Sequence, residues 1–342
     1  MRSHHCYYIP PHIIDRLIRN ANQLGLDAEA MQRTAVASQR LREQRRGVSF
    51  GSLAALTPPR PGKADRQIFD DQHQWEIGTT VVRGEGDPAV GDRPANVCYD
   101  GVGITRAFFK EVLNRDSIDN AGIAIQAHVN FGVDFDNAFW TGTELVFGNG
   151  SGVVFKDLTS DIDVIGHELA HGVTQYTAGL VYTDQAGALN ESFSDIFGAC
   201  VEQFASEQDA GEFNWLIGED VMADQLYGEA LRSMAHPGTA YDNAVLGKDP
   251  QPDSMAGYVP GGDPHLNSGI PNRAFYLAAT DLGTFPAAKI WYAALQNLGP
   301  NSDFADAAKV CGEMARVLAR DGQVARHAPQ SVRAAFRAVG IS

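Results

Sequence analysis

No stretch of the 342 residues approaches the run of about 18 to 20 apolar side chains that a membrane-spanning helix requires, so no span is expected. Basic charge is scarce. Lys and Arg number 27 against 42 Asp and Glu, a net of −15, which argues against a nucleic-acid partner because phosphates are neutralised by cations. Cysteine is sparse too: Cys6, Cys98, Cys200 and Cys311 show neither metal nor disulfide spacing, so reduced thiols in a chain made in the cytoplasm are expected. The opening MRSHHCYYIPPHIIDRL lacks the continuous apolar region and small-residue cleavage site of a Sec leader. Repeats at solenoid periods are absent. What remains is an ordinary globular composition, 44% hydrophobic and 20% charged, long enough for one large or two medium domains.

The charge is uneven. Residues 1–48 hold eight arginines against four acids, a +4 head on a −19 body, and that asymmetry invites docking of one on the other.

Periodicity divides the chain further. Pro11 suits a first helical turn, and Ile13, Ile14, Leu17, Ile18, Ala21 and Leu24 recur at helical spacing until Gly25. A second helix is predicted from Asp27 to about Arg46. The Gly-, Pro- and Ser-rich stretch that follows reads as a linker. Residues 66–160 read as mostly strands, with TTVVRG, IAIQAHVNFG and TELVFGNGSGVVF as short apolar runs and one helix at GVGITRAFFKEVLNR. Helical patterns dominate residues 161–342. The expected fold class is α+β, with a helical segment 1–48, a linker 49–65, a mostly β lobe 66–160 and a mostly α lobe 161–342.

The run VIGHELAHGVTQY spans the start of the α lobe. On a helix, His167 and His171 lie at i and i+4, where both imidazoles can reach one metal ion. Glu168 flanks them, placed to accept a proton from activated water. Ser160 is the predicted N-cap, with Asp163 three residues on. Two histidines leave a third ligand to be found. Position 177 is threonine, which rules out a third histidine six residues after His171. In ALNESFSDIFGACVEQF, however, Glu191 and Asp195 share a helical face twenty or more positions on, and two histidines plus one carboxylate leave a coordination place open for water.

HELAH followed by NESFSD at this spacing resembles the thermolysin-like family of zinc neutral proteases. YDGVGITRAFF, DNAFWTG, YTAGLVY, IGEDV, LRSM and HLNSGIPN are similar to family segments and stand in the family's order. The resemblance implies a two-lobed metalloprotease with its active-site cleft between the lobes, and a zinc endopeptidase acting on polypeptides. Carried over to these positions, it implies His167, His171 and Glu191 as zinc ligands and Glu168 as general base. Asp195 is implied behind His167 and Asn190 behind the other imidazole. Tyr182 and His265 are implied as donors to the oxyanion, Asn137 and the Ala138 carbonyl as partners of substrate backbone, and Arg232 as partner of a substrate carbonyl. Phe155, Leu158, Val164, Ile217, Val221 and Leu231 are implied to line an apolar pocket for a bulky side chain after the scissile bond. A zinc aminopeptidase is disfavoured by the lack of a Gly-x-Met-Glu-Asn segment; a silent binding protein of the same fold is the alternative.

Two departures from the family pattern stand out. Of the calcium-binding acids Asp163, Glu202 and Glu219 remain, while Asn214 and Leu216 replace acids, so at most a reduced calcium site is expected. VPGGDPH replaces the family's Asp-Asn-Gly-Gly-Val stretch, which leaves open which carboxylate supports His265 and whether Asp263 takes that place.

YYIPPHIIDRL is similar to the short pro-segment of the protealysin-like, leaderless branch, which implies a zymogen exported without a Sec leader. Consecutive prolines give a stiff extended strand with few donors. Ile9, Pro10, Pro11 and His12 are accordingly expected in or near the cleft as an intramolecular lock, with Cys6 a candidate zinc thiolate. Maturation is expected within residues 46–66, before Val48, Phe50, Leu53 or Leu56.

Overall fold

A computed structural model describes residues 8–45 and 61–342. Cys6, the bonds before Val48, Phe50, Leu53 and Leu56, and most of the expected maturation window lie outside the described residues.

Helix α1 (Pro11–Leu24) starts with Pro11 in its first turn and stops at Gly25, whose φ of 71° lets its N–H turn back to the Ala21 carbonyl. Ile13, Ile14, Leu17 and Ala21 form its buried stripe. Helix α2 (Ala28–Arg45) follows after Asp27, whose carboxylate accepts from the N–H groups of Glu29 and Ala30.

The first lobe carries a five-stranded sheet. Its strands are β1 (Arg66–Asp70), β2 (Val81–Gly84), β3 (Ile125–Val129), β4 (Ala138–Trp140) and β5 (Leu145–Phe147), in the spatial order β2-β1-β3-β5-β4. The β1/β3 and β3/β5 pairs are parallel, and the outer pairs are antiparallel. β4 is therefore an edge strand, with backbone groups available to another chain segment. Helix α3 (Arg93–Glu111) packs on the sheet and begins well before the predicted Gly101, because Asp92 caps it by accepting from Ala95 N–H at 3.1 Å. Gly101 and Gly103 interrupt the apolar pattern there.

The second lobe is built on α4 (Ile162–Gln175) and α5 (Asp184–Ser206). Both are buried through nearly all their length, as fits helices whose apolar residues are not confined to one stripe. They meet through glycines. A Cβ on Gly166 would lie 3.0 Å from Gly198 Cα, and one on Gly198 would lie 2.7 Å from the Asp163 carbonyl oxygen, so only glycine permits this approach. Asp161, not Ser160, caps α4: its carboxylate accepts from Asp163 N–H at 3.1 Å, while the Ser160 hydroxyl donates to the Asp157 carbonyl at 2.6 Å. The short pair β6 (Leu216–Ile217) and β7 (Arg232–Ser233) lies beside α5. Helices α6 (Pro264–Asn267), α7 (Gly269–Leu282), α8 (Thr284–Leu295), α9 (Phe304–Arg320) and α10 (Ala328–Ala338) complete the lobe. No helix among the described residues is long and apolar enough to cross a membrane.

Candidate active site

The i,i+4 spacing on α4 turns His167 and His171 toward α5, and the close helix contact brings Glu191 to them. The two Nε2 atoms stand 3.0 Å apart, His167 Nε2 lies 3.4 Å from Glu191 Oε2, and His171 Nε2 lies 3.6 Å from Glu191 Oε1. Each gap is shorter than twice a zinc–ligand bond of about 2.0–2.1 Å, so one ion can touch all three side chains. The three residues are buried, and Glu191 Oε2 has no hydrogen-bond partner of good geometry among the described residues. A buried carboxylate oxygen facing two imidazole nitrogens suits a cation. The donor set fits zinc.

The other ring nitrogens are held from behind. His167 Nδ1 lies 2.9 Å from Asp195 Oδ1, and His171 Nδ1 lies 2.8 Å from Asn190 Oδ1 and 3.0 Å from Ser194 Oγ. These contacts fix the ring orientations and leave Nε2 for the metal. Burial disfavours charge on His167, but Asp195 and Glu191 outweigh it and push the imidazole up to about 10. For Glu191 burial is outweighed by His265 and the two paired histidines, and its carboxyl falls to about 2.

Asp195 does more than the sequence implied. It also accepts from Arg232 in a two-pronged pair, Nε to Oδ2 at 2.9 Å and Nη2 to Oδ1 at 2.8 Å, and from Asn272 Nδ2 at 2.8 Å. Burial works against its charge, yet Arg232 and His167 hold its carboxyl well below the usual range. One carboxylate thereby aligns an imidazole of the metal cluster and an arginine of the cleft. Asn272 closes the HLNSGIPN segment and Ser194 sits within NESFSD, so both stood inside recognised stretches without an assigned role.

Glu168 is buried on α4 between the two histidines in sequence. Tyr182 donates its hydroxyl to Glu191 Oε1, and His265 Nε2 lies 3.3 Å from Glu191 Oε2, so both side chains converge on the metal cluster from the side of α6 and the loop before α5. Asp263 supports His265 twice, accepting from its backbone N–H at 3.0 Å and standing 2.7 Å from Nδ1. Burial lowers the His265 imidazole, but Glu191 and Asp263 outweigh it and raise it.

Across the cleft, residues 8 and 9 lie against the edge strand β4. Tyr8 N–H donates to the Ala138 carbonyl at 3.1 Å, Ile9 N–H donates to Asn137 Oδ1 at 2.9 Å, and Arg232 Nη1 donates to the Tyr8 carbonyl at 3.1 Å. Pro10 and Pro11 lead from this segment into α1. His12 Nε2 is 2.9 Å from the Tyr241 hydroxyl, and Arg16 donates from Nε to the Val245 carbonyl at 2.9 Å and from Nη2 to the Ala244 carbonyl at 3.0 Å. Phe155, Leu158, Val164, Ile217, Val221 and Leu231 are all buried in the same apolar cluster as Tyr8 and Ile9.

The acid cluster differs from expectation. Asp161, Asp163 and Glu202 bring ligand oxygens within 4.8 Å of one another, whereas Glu219 is not of that group. Asn214 Nδ2 donates to Glu219 Oε2 at 2.6 Å, and the capping residue Asp161 is the third member of the cluster. Burial first, then mutual repulsion, raises Glu202 to about 9 and Asp161 well above its ordinary value.

Comparison with known proteins agrees with this geometry. Residues 65–175 match the family model described as thermolysin metallopeptidase, catalytic domain, and residues 178–341 match the one described as thermolysin metallopeptidase, alpha-helical domain. An extracellular metalloprotease of Pectobacterium carotovorum subsp. carotovorum is 43% identical over 316 residues, 87% of each chain. Thermolysin of Alicyclobacillus acidocaldarius subsp. acidocaldarius is 38% identical over 280 residues, 78% of this chain and 48% of that one. The solved precursor of protealysin, a metalloproteinase from Serratia proteamaculans, superposes with a TM-score of 0.85 at 39% identity, covering 98% of this chain and 100% of that one. With both family models matched in order across the two lobes, and the zinc-type cluster at their junction, the chain belongs to the thermolysin metallopeptidase family.

Proposed function

We propose that this zinc metallopeptidase is an endopeptidase made in a latent form, with its own residues 8–12 lying where substrate binds. The observation that carries the reading is the set of backbone bonds at Tyr8 and Ile9. A segment bonded through its backbone N–H to an edge strand, with its carbonyl on an arginine, resembles the grip on a peptide substrate by strand addition.

His167, His171 and Glu191 would hold the ion. When bound, zinc supplies Lewis acidity, lowering the pKa of a coordinated water toward about 7 and polarising the scissile carbonyl. Glu168 is the base: it takes the proton of the attacking water and returns it to the departing amine. Tyr182 and His265 donate hydrogen bonds where negative charge develops on the carbonyl oxygen, in a buried setting where such bonds are strong. Asn137, Ala138 and Arg232 fix the substrate backbone, and the apolar wall of Phe155, Leu158, Val164, Ile217, Val221 and Leu231 favours a bulky side chain after the cut.

The lock follows from the same contacts. Residues 8–12 compete with substrate for β4 and Arg232, and the paired prolines offer no N–H for further pairing. Removal of residues 1–48 by cleavage within 46–66 opens the cleft, and action on extracellular polypeptides, by a leaderless export route, completes the reading.

The test is cleavage of an internally quenched peptide blocked at both ends. The zinc-loaded full chain is expected to cut it after a lag, with activity abolished by a chelator and kcat/KM reduced by about 10² to 10⁴ in Glu168→Gln, the usual range for loss of a general base. Tight peptide binding without any cleavage would favour the silent binding protein instead.

A further inference from the structure

Tyr8 occupies a particular place in the cleft. Its N–H on Ala138, its carbonyl on Arg232 and the next N–H on Asn137 use the three groups implied to bind substrate backbone, and on the endopeptidase reading Tyr8 stands in for the substrate residue immediately after the cut. Its side chain is fully buried, meets the His167 ring edge-on at 5.2 Å between centroids, and lies 5.1 Å from the Arg232 guanidinium.

The far end of this pocket is not apolar. The Tyr8 hydroxyl donates to Asp163 Oδ1 at 2.6 Å, and Asp163 Oδ2 accepts from Gly218 N–H at 2.7 Å. Gly218 makes the space. At a φ of +73°, a Cβ there would lie 2.8 Å from the Tyr8 hydroxyl oxygen and 2.9 Å from Leu231 Cδ1, so any larger residue would close the floor. With Tyr8 in place the Asp163 carboxylate is enclosed, and its Oδ1 takes a hydrogen bond that neither leucine nor phenylalanine can supply.

We propose that Asp163 is a specificity-determining residue, which reads the hydroxyl of a tyrosine at the position after the scissile bond. The pocket then prefers tyrosine to the bulky residues that an apolar wall alone would select. Sites built to bond a substrate hydroxyl discriminate strongly against the analogue lacking it, because the unpaired buried group is costly. This inference rests on the endopeptidase reading and sharpens it.

The experiment is a competition. Zinc-loaded full chain, allowed to lose its latency, is given an equimolar mixture of three doubly blocked peptides identical except for Tyr, Phe or Leu at one central position. Mass spectrometry follows cleavage on the N-terminal side of that residue. Relative rates in a mixture report kcat/KM ratios whatever fraction of enzyme is active. The tyrosine peptide is expected to be cut roughly tenfold faster than the phenylalanine peptide or more. In Asp163→Ala the ratio is expected to fall toward one. Equal rates for Tyr and Phe in the wild type, or fastest cleavage of Leu, would overturn the inference and leave the endopeptidase reading standing. Cleavage of none of the three would overturn both. Should Asp163→Ala fail to fold, the wild-type ratio decides alone.

Discussion

Asp195 ties the metal cluster to Arg232. It stands behind His167 and also holds both prongs of Arg232, so a change there acts on two functions at once. Asp195→Asn is expected to lower zinc affinity by about 10- to 100-fold, the usual effect of losing the partner of a metal-bound histidine. It is also expected to raise KM, because Arg232 loses the charge that aligns it. Zinc titration and peptide kinetics on the same variant check the two effects separately. At this scale the ligands were the most legible part of the sequence, since His167 and His171 are neighbours on one helix and Glu191 and Asp195 on another. The Asp195–Arg232 and Asp195–Asn272 bonds span 37 and 77 residues, and nothing local encodes them. Asp161 escaped notice as an acid of the cluster because its place beside Glu202 depends on tertiary packing.

Between elements, the decisive contact is that of α4 with α5. Gly166 and Gly198 let the two helices approach closely enough for Glu191 to reach the paired imidazoles. Gly198→Ala places a methyl 2.7 Å from the Asp163 carbonyl oxygen, and backbone cannot yield as a flexible side chain can. The expected result is a loss of about 1–3 kcal/mol in stability, typical of overpacking, together with weaker zinc binding, checked by denaturant unfolding of the zinc-free and zinc-loaded protein. Periodicity made α1 and α4 legible, because their apolar spacing or flanking polar residues mark them. It failed at the start of α3, where two glycines interrupt the pattern, and gave no sign that β4 would be an edge strand, since strand order is a property of the sheet and not of any segment.

At the scale of the whole molecule, the N-terminal segment lies on the body at Ala138, Asn137 and Arg232. The charge asymmetry suggested docking, yet the described arginines that reach the body meet carbonyl oxygens, in the case of Arg16, and the Trp75 indole at 5.9 Å, in the case of Arg33. Docking instead rests on backbone pairing, on buried side chains and on His12. Burial, and after it His265, pushes the His12 imidazole down from 6.5 to about 4, with Arg232 adding to this and Asp263 and Asp15 opposing it. The docked imidazole is therefore neutral, while the released one takes up a proton below about 6.5. Docking is complete above that value and loses free energy as pH falls toward 4, by linkage. Precursor held at pH 5 and then assayed at pH 7.5 is expected to gain activity faster than precursor held at pH 7.5, on the order of tenfold. His12→Asn is expected to remove that difference. An equal lag after both treatments would separate latency from His12.

Two helices share one ion at the centre of this enzyme, and the zinc content of purified protein tests that most directly. Elemental analysis is expected to find one zinc per chain in the wild type and in Glu168→Gln, and little zinc in His171→Ala and Glu191→Ala, each of which removes a ligand. A wild-type protein without zinc, or full occupancy in the two ligand variants, would contradict it.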